Sequence, residues 1–165
     1  MKTAVQDANI IFDLFNIDLL DVFFELEIEI FITDFIAGEI NKSEQKEFIN
    51  KYISTGETIV LITTPEEIIE LISIRNQTRG LSIADCSILF HATKNKAFIL
   101  TGDNTLRKYA ESNQIEVHGI LWVLDELIKE KQISEKKAYL KLTQLMETNS
   151  RLPRKECEKR LKNWS

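Results

Sequence analysis

Residues 98–111, FILTGDNTLRKYAE, contain the stretch that decides the fold. The apolar run Phe98–Leu100 predicts a short buried strand, and the apolar spacing after Asp103 predicts a helix that begins at once. A strand that passes into a helix through a short polar turn is typical of α/β proteins with a parallel sheet. Asp103 follows the strand and, taken alone, is best interpreted as the N-cap of the helix.

The same alternation of strand and helix runs along most of the chain. Beside the strand at 97–100, apolar or β-branched runs predict strands at 3–7, 29–32, 58–63 and 115–119. Helical spacing predicts two short helices in 9–26, one helix capped by Thr33 or Asp34, one that begins at Pro65 and one opened by a Ser82–Asp85 capping box. This order predicts an α/β three-layer sandwich in which helices cover both faces of a mainly parallel central sheet.

The C-terminal part of the chain is helical and basic. Helical spacing continues over 120–132, 134–149 and 153–163, and residues 129–165 carry 11 Lys and Arg against 5 Asp and Glu, a balance of +6. The remaining residues carry 10 against 21, a balance of −11. A solvated helical face and a surface for phosphate groups or an acidic partner both explain this extension. We expect one domain, with an α/β part at 1–128 and a basic helical extension of the same domain at 129–165.

The composition indicates a cytoplasmic protein that does not bind a membrane. No apolar run approaches the ~20 residues that a membrane-spanning helix needs, and the N-terminal MKTAVQDAN has no hydrophobic signal core. Cys86 and Cys157 have no spacing typical of a disulfide or a metal site, and we interpret them as free thiols in a reducing compartment, Cys86 within a helix.

Four acids are predicted at one edge of the sheet. Asp7 ends the first strand, Asp103 follows the strand at 97–100, and Glu39 and Asp85 lie early in two helices. Parallel sheets bind ligands beyond the carboxyl ends of their strands, so all four side chains can point into one cleft. Taken singly, Asp7 and Asp103 are explained as helix caps, Asp85 as part of a capping box, and Glu39 as a solvent-facing acid.

Together, the four acids indicate a divalent metal site. Clustered carboxylates repel and raise one another's pKa, a cost that a cation removes, and oxygen ligands suit Mg²⁺ or Mn²⁺. His91 and His118 have no zinc-like pattern and are interpreted as structural or surface residues. The chain has no phosphate loop, no dinucleotide fingerprint and no nucleophile elbow.

Four motifs resemble those of PIN-domain proteins, small metal-dependent ribonucleases that include the toxins of many toxin–antitoxin pairs. They are VQDAN (5–9), EIFITDFIAGEI (29–40), LSIADCSILFHA (81–92) and FILTGDNTLRKYAE (98–111), and their order and spacing also match. The resemblance covers about residues 3–118.

The resemblance implies a Mg²⁺- or Mn²⁺-dependent endoribonuclease. By position, Asp7, Glu39, Asp85 and Asp103 match the acids of the site, with Asp34 as the alternative to Glu39. The polar neighbours expected to bind substrate or hold the site are Asn9, Thr101, Asn104 and Arg107. The implied partners are RNA, a cognate antitoxin protein and a second copy of the chain, for which residues 12–26 offer an apolar surface or else ordinary core.

Because the acids repel RNA, such a protein needs cations elsewhere on its surface. Lys94, Lys96, Arg107, Lys108 and the basic extension are the candidates. Gly102 is interpreted as room for a tight turn at the site.

Two other functions compete with RNA cleavage. A PIN fold can bind nucleic acid or protein without cleaving, although the presence of all four acids favours cleavage. A signalling receiver expects paired acids after the first strand and a Lys after a late one, whereas VQDAN supplies one acid and IEVHG (115–119) no Lys.

Overall fold

The computed structural model describes all 165 residues and contains a central five-stranded sheet. The strands are β1 (Lys2–Gln6), β2 (Ile28–Thr33), β3 (Thr58–Leu61), β4 (Phe98–Leu100) and β5 (Val117–His118). Their order is β3-β2-β1-β4-β5, and every neighbouring pair is parallel. The chain leaves β1 first toward β2 and later toward β4, so the topological switch point lies between β1 and β4.

Ten helices connect and cover the strands, which confirms the predicted α/β fold. They are α1 (Ala8–Asn16), α2 (Leu20–Phe23), α3 (Asp34–Ile40), α4 (Lys46–Ser54), α5 (Pro65–Gln77), α6 (Ile83–Asn95), α7 (Asn104–Ser112), α8 (Ile120–Lys129), α9 (Glu135–Thr148) and α10 (Arg154–Trp164). None of these helices is both long and apolar enough to cross a membrane.

The helix expected after β2 is two helices rather than one. Thr33 is its N-cap, because its Oγ1 accepts a hydrogen bond from the N–H of Ile36 at 3.2 Å. The first helix, α3, ends at Ile40, where the Ser43 hydroxyl donates to the carbonyl of Ile40 at 2.6 Å. Asn and Ser side chains offer such local bonds in place of the helical ones, which explains the break before α4.

The core is one cluster of 43 buried apolar residues. Helices α1 and α2 supply much of it, so residues 12–26 are largely core rather than an open surface. The C-terminal helices share this core through residues such as Leu124, Leu142 and Cys157. Both cysteines are free thiols, as predicted, and both are buried. The boundary expected at residue 128 falls one residue before the end of α8, and that division remains a proposal.

A group of exposed isoleucines in one part of the chain was not anticipated. Strand β3 is an edge of the sheet, and α5 buries only Leu71. Ile69 is 70% exposed and Ile62 68%. We call the five exposed isoleucines of β3, α5 and their connection the isoleucine surface: Ile59, Ile62, Ile68, Ile69 and Ile72.

Candidate metal and nucleic-acid site

Asp7 lies at the switch point and is held by three donors. Its backbone N–H donates to the carbonyl of Leu100 at 2.9 Å, which joins the ends of β1 and β4. Its Oδ1 accepts from the N–H of Ala8 at 2.7 Å, so Asp7 caps α1. Its Oδ2 accepts from the Thr101 hydroxyl at 2.7 Å and from the Asn9 amide at 2.9 Å. The two polar neighbours predicted from the sequence therefore orient this carboxylate.

The protonation of Asp7 is set by opposing effects. Together they raise the pKa of Asp7 from 3.8 to about 6, and burial is the largest cause. The negative charges of Asp85 and Glu39 also raise this pKa, whereas the hydrogen bonds from Thr101 and Ala8 lower it. Asp7 is consequently a carboxyl group that changes charge just below neutral pH.

Glu39 and Asp85 face Asp7 from two helices. Partial burial and then the charge of Asp85 raise the pKa of Glu39 above its ordinary value, while Lys42 lowers it. Asp85 also completes the predicted capping box, since its Oδ2 accepts from the N–H of Ser82 at 2.9 Å and its own N–H donates to the Ser82 hydroxyl at 3.1 Å. Three of the four predicted acids thus repel one another across a common space.

Asp34, the alternative to Glu39, has a structural role. Its carboxylate accepts from the N–H of Thr63 at 3.0 Å and from the Thr63 hydroxyl at 2.8 Å, which ties α3 to the end of β3. The Thr63 hydroxyl lies 3.1 Å from Nε2 of His91. Because that hydroxyl donates to Asp34, the neutral imidazole carries its proton on Nε2. Burial lowers the pKa of His91, which favours this neutral form.

Asp103 joins the other acids indirectly. It is the N-cap of α7, as predicted, because its Oδ1 accepts from the N–H of Leu106 at 2.7 Å. Its own N–H donates to Oγ1 of Thr101 at 3.0 Å, and Thr101 in turn donates to Asp7. The charge of Asp103 is not among those that raise the pKa of Asp7. Thr101, which is fully buried, is therefore the link between the two acids.

The acids fit a divalent cation by chemistry but do not form a closed cage. No three His, Cys, Asp or Glu side chains surround a common point closely enough to hold an ion. The acids that could bind a metal at the switch point nevertheless all offer carboxylate oxygens, the ligands that Mg²⁺ and Mn²⁺ prefer. Each carboxylate oxygen has two lone pairs, so the bonds that orient Asp7 and Asp103 leave acceptor capacity for an ion.

A cleft of about 580 Å³ adjoins the acids. We call it the rim cleft; α1, the β4–α7 turn, α7, the start of α8 and the α9–α10 connection line it. All four residues predicted to bind substrate lie on its wall: Asn9, Thr101, Asn104 and Arg107. The opposite wall, which includes Arg151, Leu152 and Arg160, was not predicted, because sequence spacing does not show where α10 folds back.

Two of the expected cationic side chains, those of Lys94 and Lys96, lie away from the rim cleft. Lys94 and Lys96 are at the end of α6, nine and eleven residues after Asp85, which is about 14 and 17 Å along the helix axis. Lys94 pairs with Glu67, and Lys96 leads into the N-terminal end of β4. Both lysines therefore lie at the opposite edge of the sheet from the acids, and a role for them in RNA binding stays a prediction.

The turn at residue 102 does not require a glycine. Its φ is not positive, unlike that of Gly56 and Gly80, and an added Cβ would meet Oδ1 of Asn9 at an ordinary 3.6 Å. The N–H of Gly102 donates to that same oxygen at 3.0 Å. The backbone at Gly102 thus orients Asn9, and the absence of a side chain is not what the site uses.

The comparisons with known proteins identify the family. A model for the family DUF3368, described as a PIN domain, matches residues 3–165. The chain belongs to the PIN-domain family. Among solved structures it is similar to VapBC2 from Rickettsia felis, crystallised with a DNA fragment from their promoter, at 15% identity and a TM-score of 0.48. That likeness covers 71% of this chain and 98% of the other. No curated protein sequence matches this chain.

Membership gives the acid cluster its context. PIN domains are generally nucleases and typically use divalent metals. In this PIN domain, the switch point, the buried Asp7 and the acids around it occupy the edge of the sheet where α/β proteins bind ligands.

Proposed function

We propose that this PIN domain is a Mg²⁺- or Mn²⁺-dependent endoribonuclease that hydrolyses phosphodiester bonds of RNA. The observation that carries the proposal is Asp7, a buried acid at the β1–β4 switch point that faces the charges of Asp85 and Glu39. The mutual repulsion of these carboxylates opposes folding, whereas a divalent ion bound between them would turn the repulsion into attraction.

Asp7, Asp85 and Asp103 would hold the metal, with Glu39 bound directly or through a water. When bound, the ion lowers the pKa of a water and stabilises negative charge on the phosphate. Thr101 and Asn9 keep the Asp7 carboxylate in one orientation, and Thr101 couples that orientation to the loop of Asp103. Asp7 must be ionised to act, so protons compete with the metal below about pH 6.

Arg107 and Asn104 would offset the repulsion between the acids and RNA. Both line the rim cleft, and Arg107 keeps unused N–H donors after Nη1 donates to the carbonyl of Val117 at 3.2 Å. Positive charge beside an acidic centre makes RNA binding depend steeply on salt.

The proposal is tested by cleavage of a panel of structured RNAs with and without Mn²⁺. Wild type is compared with Asp7→Asn and Asp85→Asn, and Glu25→Gln serves as a control because Glu25 is exposed at the other edge of the sheet. We expect metal-dependent cleavage that both Asn variants lose and the control keeps. Equal, metal-independent activity in all four proteins would reject the site. Binding of RNA without cleavage by any of them would favour the non-catalytic PIN module.

A toxin role in the cytoplasm is part of the same proposal and rests on the family resemblance. It requires a cognate antitoxin, and the neighbouring reading frame is the first place to look for one. Co-expression of this chain with a small DNA-binding protein encoded there should relieve growth arrest and yield a co-purifying complex. Growth arrest that co-expression of the neighbouring protein does not relieve would indicate a nuclease whose antitoxin is not encoded there.

The proposal also includes a homodimer, formed through the isoleucine surface rather than through residues 12–26. Along α5, Glu66 and Glu70 precede the exposed Ile72, and Arg75 follows it. Two copies that pack α5 antiparallel bury the isoleucines and bring the acidic half of one helix near the arginine of the other.

A further inference from the structure

The rim cleft is a second site beside the acids, and its walls combine charge with apolar surface. Its volume of about 580 Å³ is within the range of small-molecule sites. Asn9 and Thr101, which orient Asp7, form its boundary with the acid cluster. A ligand in the cleft therefore lies one side chain away from the proposed reacting centre.

Two arginines in the cleft have donors to spare. Arg107 uses Nη1 on the carbonyl of Val117, and its contact with Glu111 is a long 3.6 Å. Arg151 is exposed and forms no ion pair. Arg160 differs, because Asp125 and Glu156 occupy its guanidinium at 2.7 and 3.2 Å. Arg107 and Arg151 are thus the groups available to an anion.

The two acids on the wall are already partnered. Glu156 pairs with Arg160 at 3.2 Å. Asp13 accepts a hydrogen bond from the Asn149 amide at 3.0 Å, and burial raises the pKa of Asp13 to about 6. Neither of these acids forms an ion pair with Arg107 or Arg151.

His118 and Trp122, an aromatic pair from β5 and the start of α8, both line the cleft. The rings of His118 and Trp122 stack at 4.2 Å with an angle of 12° between them, and Phe98 supports both edge-on. Leu121 and Leu152 add apolar wall. Unpaired bases bind proteins by stacking on such rings and by apolar contact, while phosphates bind arginine.

We propose that the rim cleft binds one nucleotide of single-stranded RNA next to the bond that the acid site cleaves, with its phosphate at Arg107 and Arg151 and its base against the His118–Trp122 pair. This inference rests on the proposed function. It assigns a role to the basic α9–α10 connection, and it makes cleavage prefer an unpaired nucleotide on one side of the scissile phosphate.

The test is metal-free RNA binding, which is separate from cleavage. A fluorescein-labelled single-stranded RNA hexamer is titrated in EDTA, and anisotropy is measured at several salt concentrations. We expect Arg151→Gln and Arg107→Gln each to weaken binding about tenfold and to reduce the salt slope by about 0.7. Lys155→Gln, which removes an exposed charge outside the cleft, should change neither quantity.

Tryptophan fluorescence locates the base. The chain has two Trp, so the Trp164→Phe variant reports on Trp122 alone. RNA should quench this variant and should not quench Trp122→Phe. Free nucleoside monophosphate should quench more weakly than the hexamer, and equal quenching by the two would mean a site for free nucleotides, contrary to the proposal.

The outcomes separate the cleft from the catalytic proposal. RNA binding that depends on Arg151 and quenches Trp122, without Mn²⁺-dependent cleavage, supports the cleft and rejects the nuclease. Cleavage with an unchanged KM in Arg151→Gln and Trp122→Phe overturns the cleft and leaves the nuclease intact. Equal binding of an acidic peptide and the hexamer would also overturn it, in favour of a protein partner.

Discussion

At the scale of single residues, the ionised side chain of Asp7 is destabilising at its buried position, and the proposed metal site depends on this property. Burial outweighs the hydrogen bonds that favour its charge, so its pKa rises to about 6. With 1.36 kcal/mol for each pH unit, keeping Asp7 ionised at pH 7 costs on the order of 2–3 kcal/mol of folding stability. A bound metal ion would offset that cost. Function can therefore explain a buried charge that lowers the stability of the metal-free protein.

Asp7 should make the metal-free protein more stable at mildly acidic pH. Its pKa is higher in the folded chain than the ordinary 3.8, so the folded state binds more protons between these values. The resulting stabilisation is complete below about pH 3.8 and is lost as pH rises through about 6. In EDTA, the free energy of unfolding of Asp7→Asn relative to wild type should therefore increase by about 1.4 kcal/mol from pH 5 to pH 8.

Urea unfolding at pH 5, 6, 7 and 8 measures this difference. Asp13→Asn is the matched variant, because burial also raises the pKa of Asp13 to about 6 at a position that is not one of the proposed ligands. Both should flatten the pH dependence, but Mn²⁺ should stabilise only Asp13→Asn and wild type. Parallel curves for Asp7→Asn and wild type would contradict the expected pKa.

Thr101 is the second residue with a measurable role. Thr101→Val keeps the shape of the side chain but removes the donor to Asp7 and the acceptor for the N–H of Asp103. We expect a loss of about 1–3 kcal/mol in unfolding free energy, and the pKa of Asp7 should rise further. The acidic midpoint of the pH–activity profile should move upward with it.

Thr101→Ser is the control for that experiment, since it retains the hydroxyl and should restore the midpoint. A variant with Val that loses stability but keeps the wild-type midpoint would show that Thr101 does not influence the charge of Asp7.

At the scale of secondary-structure elements, three of the four proposed metal ligands are also helix-capping residues. Asp7 caps α1, Asp85 caps α6 through its box with Ser82, and Asp103 caps α7. Helix capping and metal binding by the same acid are thus compatible, because a carboxylate can accept a hydrogen bond from the backbone and keep lone pairs for an ion. Caps also fix the side chains at defined positions, as a metal site requires.

Asp103 allows the two roles to be separated. Asn is as good an N-cap as Asp, so Asp103→Asn should change the unfolding free energy by less than 0.5 kcal/mol while greatly reducing Mn²⁺-dependent cleavage. Asp103→Ala should lose the same activity and also about 1 kcal/mol of stability. Thermal unfolding and the cleavage assay, run on both variants, measure the comparison. Full activity in Asp103→Asn would restrict this residue to capping.

The sequence predicted the positions of strands and helices along the chain better than their packing in three dimensions. Each of the five strands lies within three residues of its predicted bounds, because buried β-branched runs followed by capping residues are local signals. The break between α3 and α4 was missed, since Asn41 and Ser43 act by competing weakly with helical bonds. Arg151 and the far wall of the rim cleft were missed because only tertiary packing brings α10 beside β5.

At the scale of the whole molecule, the isoleucine surface predicts the oligomeric state. Ile69 and Ile72 are 70% and 48% exposed on a helix that buries one residue, which is unusual for a chain that stays monomeric. We expect a dimer by light scattering and a monomer for the double variant Ile69→Glu, Ile72→Glu.

Leu140→Glu is the matched control, because Leu140 is 58% exposed on α9, away from this surface. It should remain dimeric. Retained circular dichroism in the double variant would exclude unfolding as the cause of dissociation, and a dimer that survives both changes would place the contact elsewhere.

The rim cleft has walls from opposite ends of the chain. Asn9 and Asp13 belong to the first helix, and Arg151 and Arg160 to the last fifteen residues. During synthesis the acids emerge from the ribosome well before the second wall does. The growing chain therefore cannot form the complete cleft before Arg151 and Arg160 have been synthesised. A nuclease arranged in this way would bind RNA in the cleft only after that point.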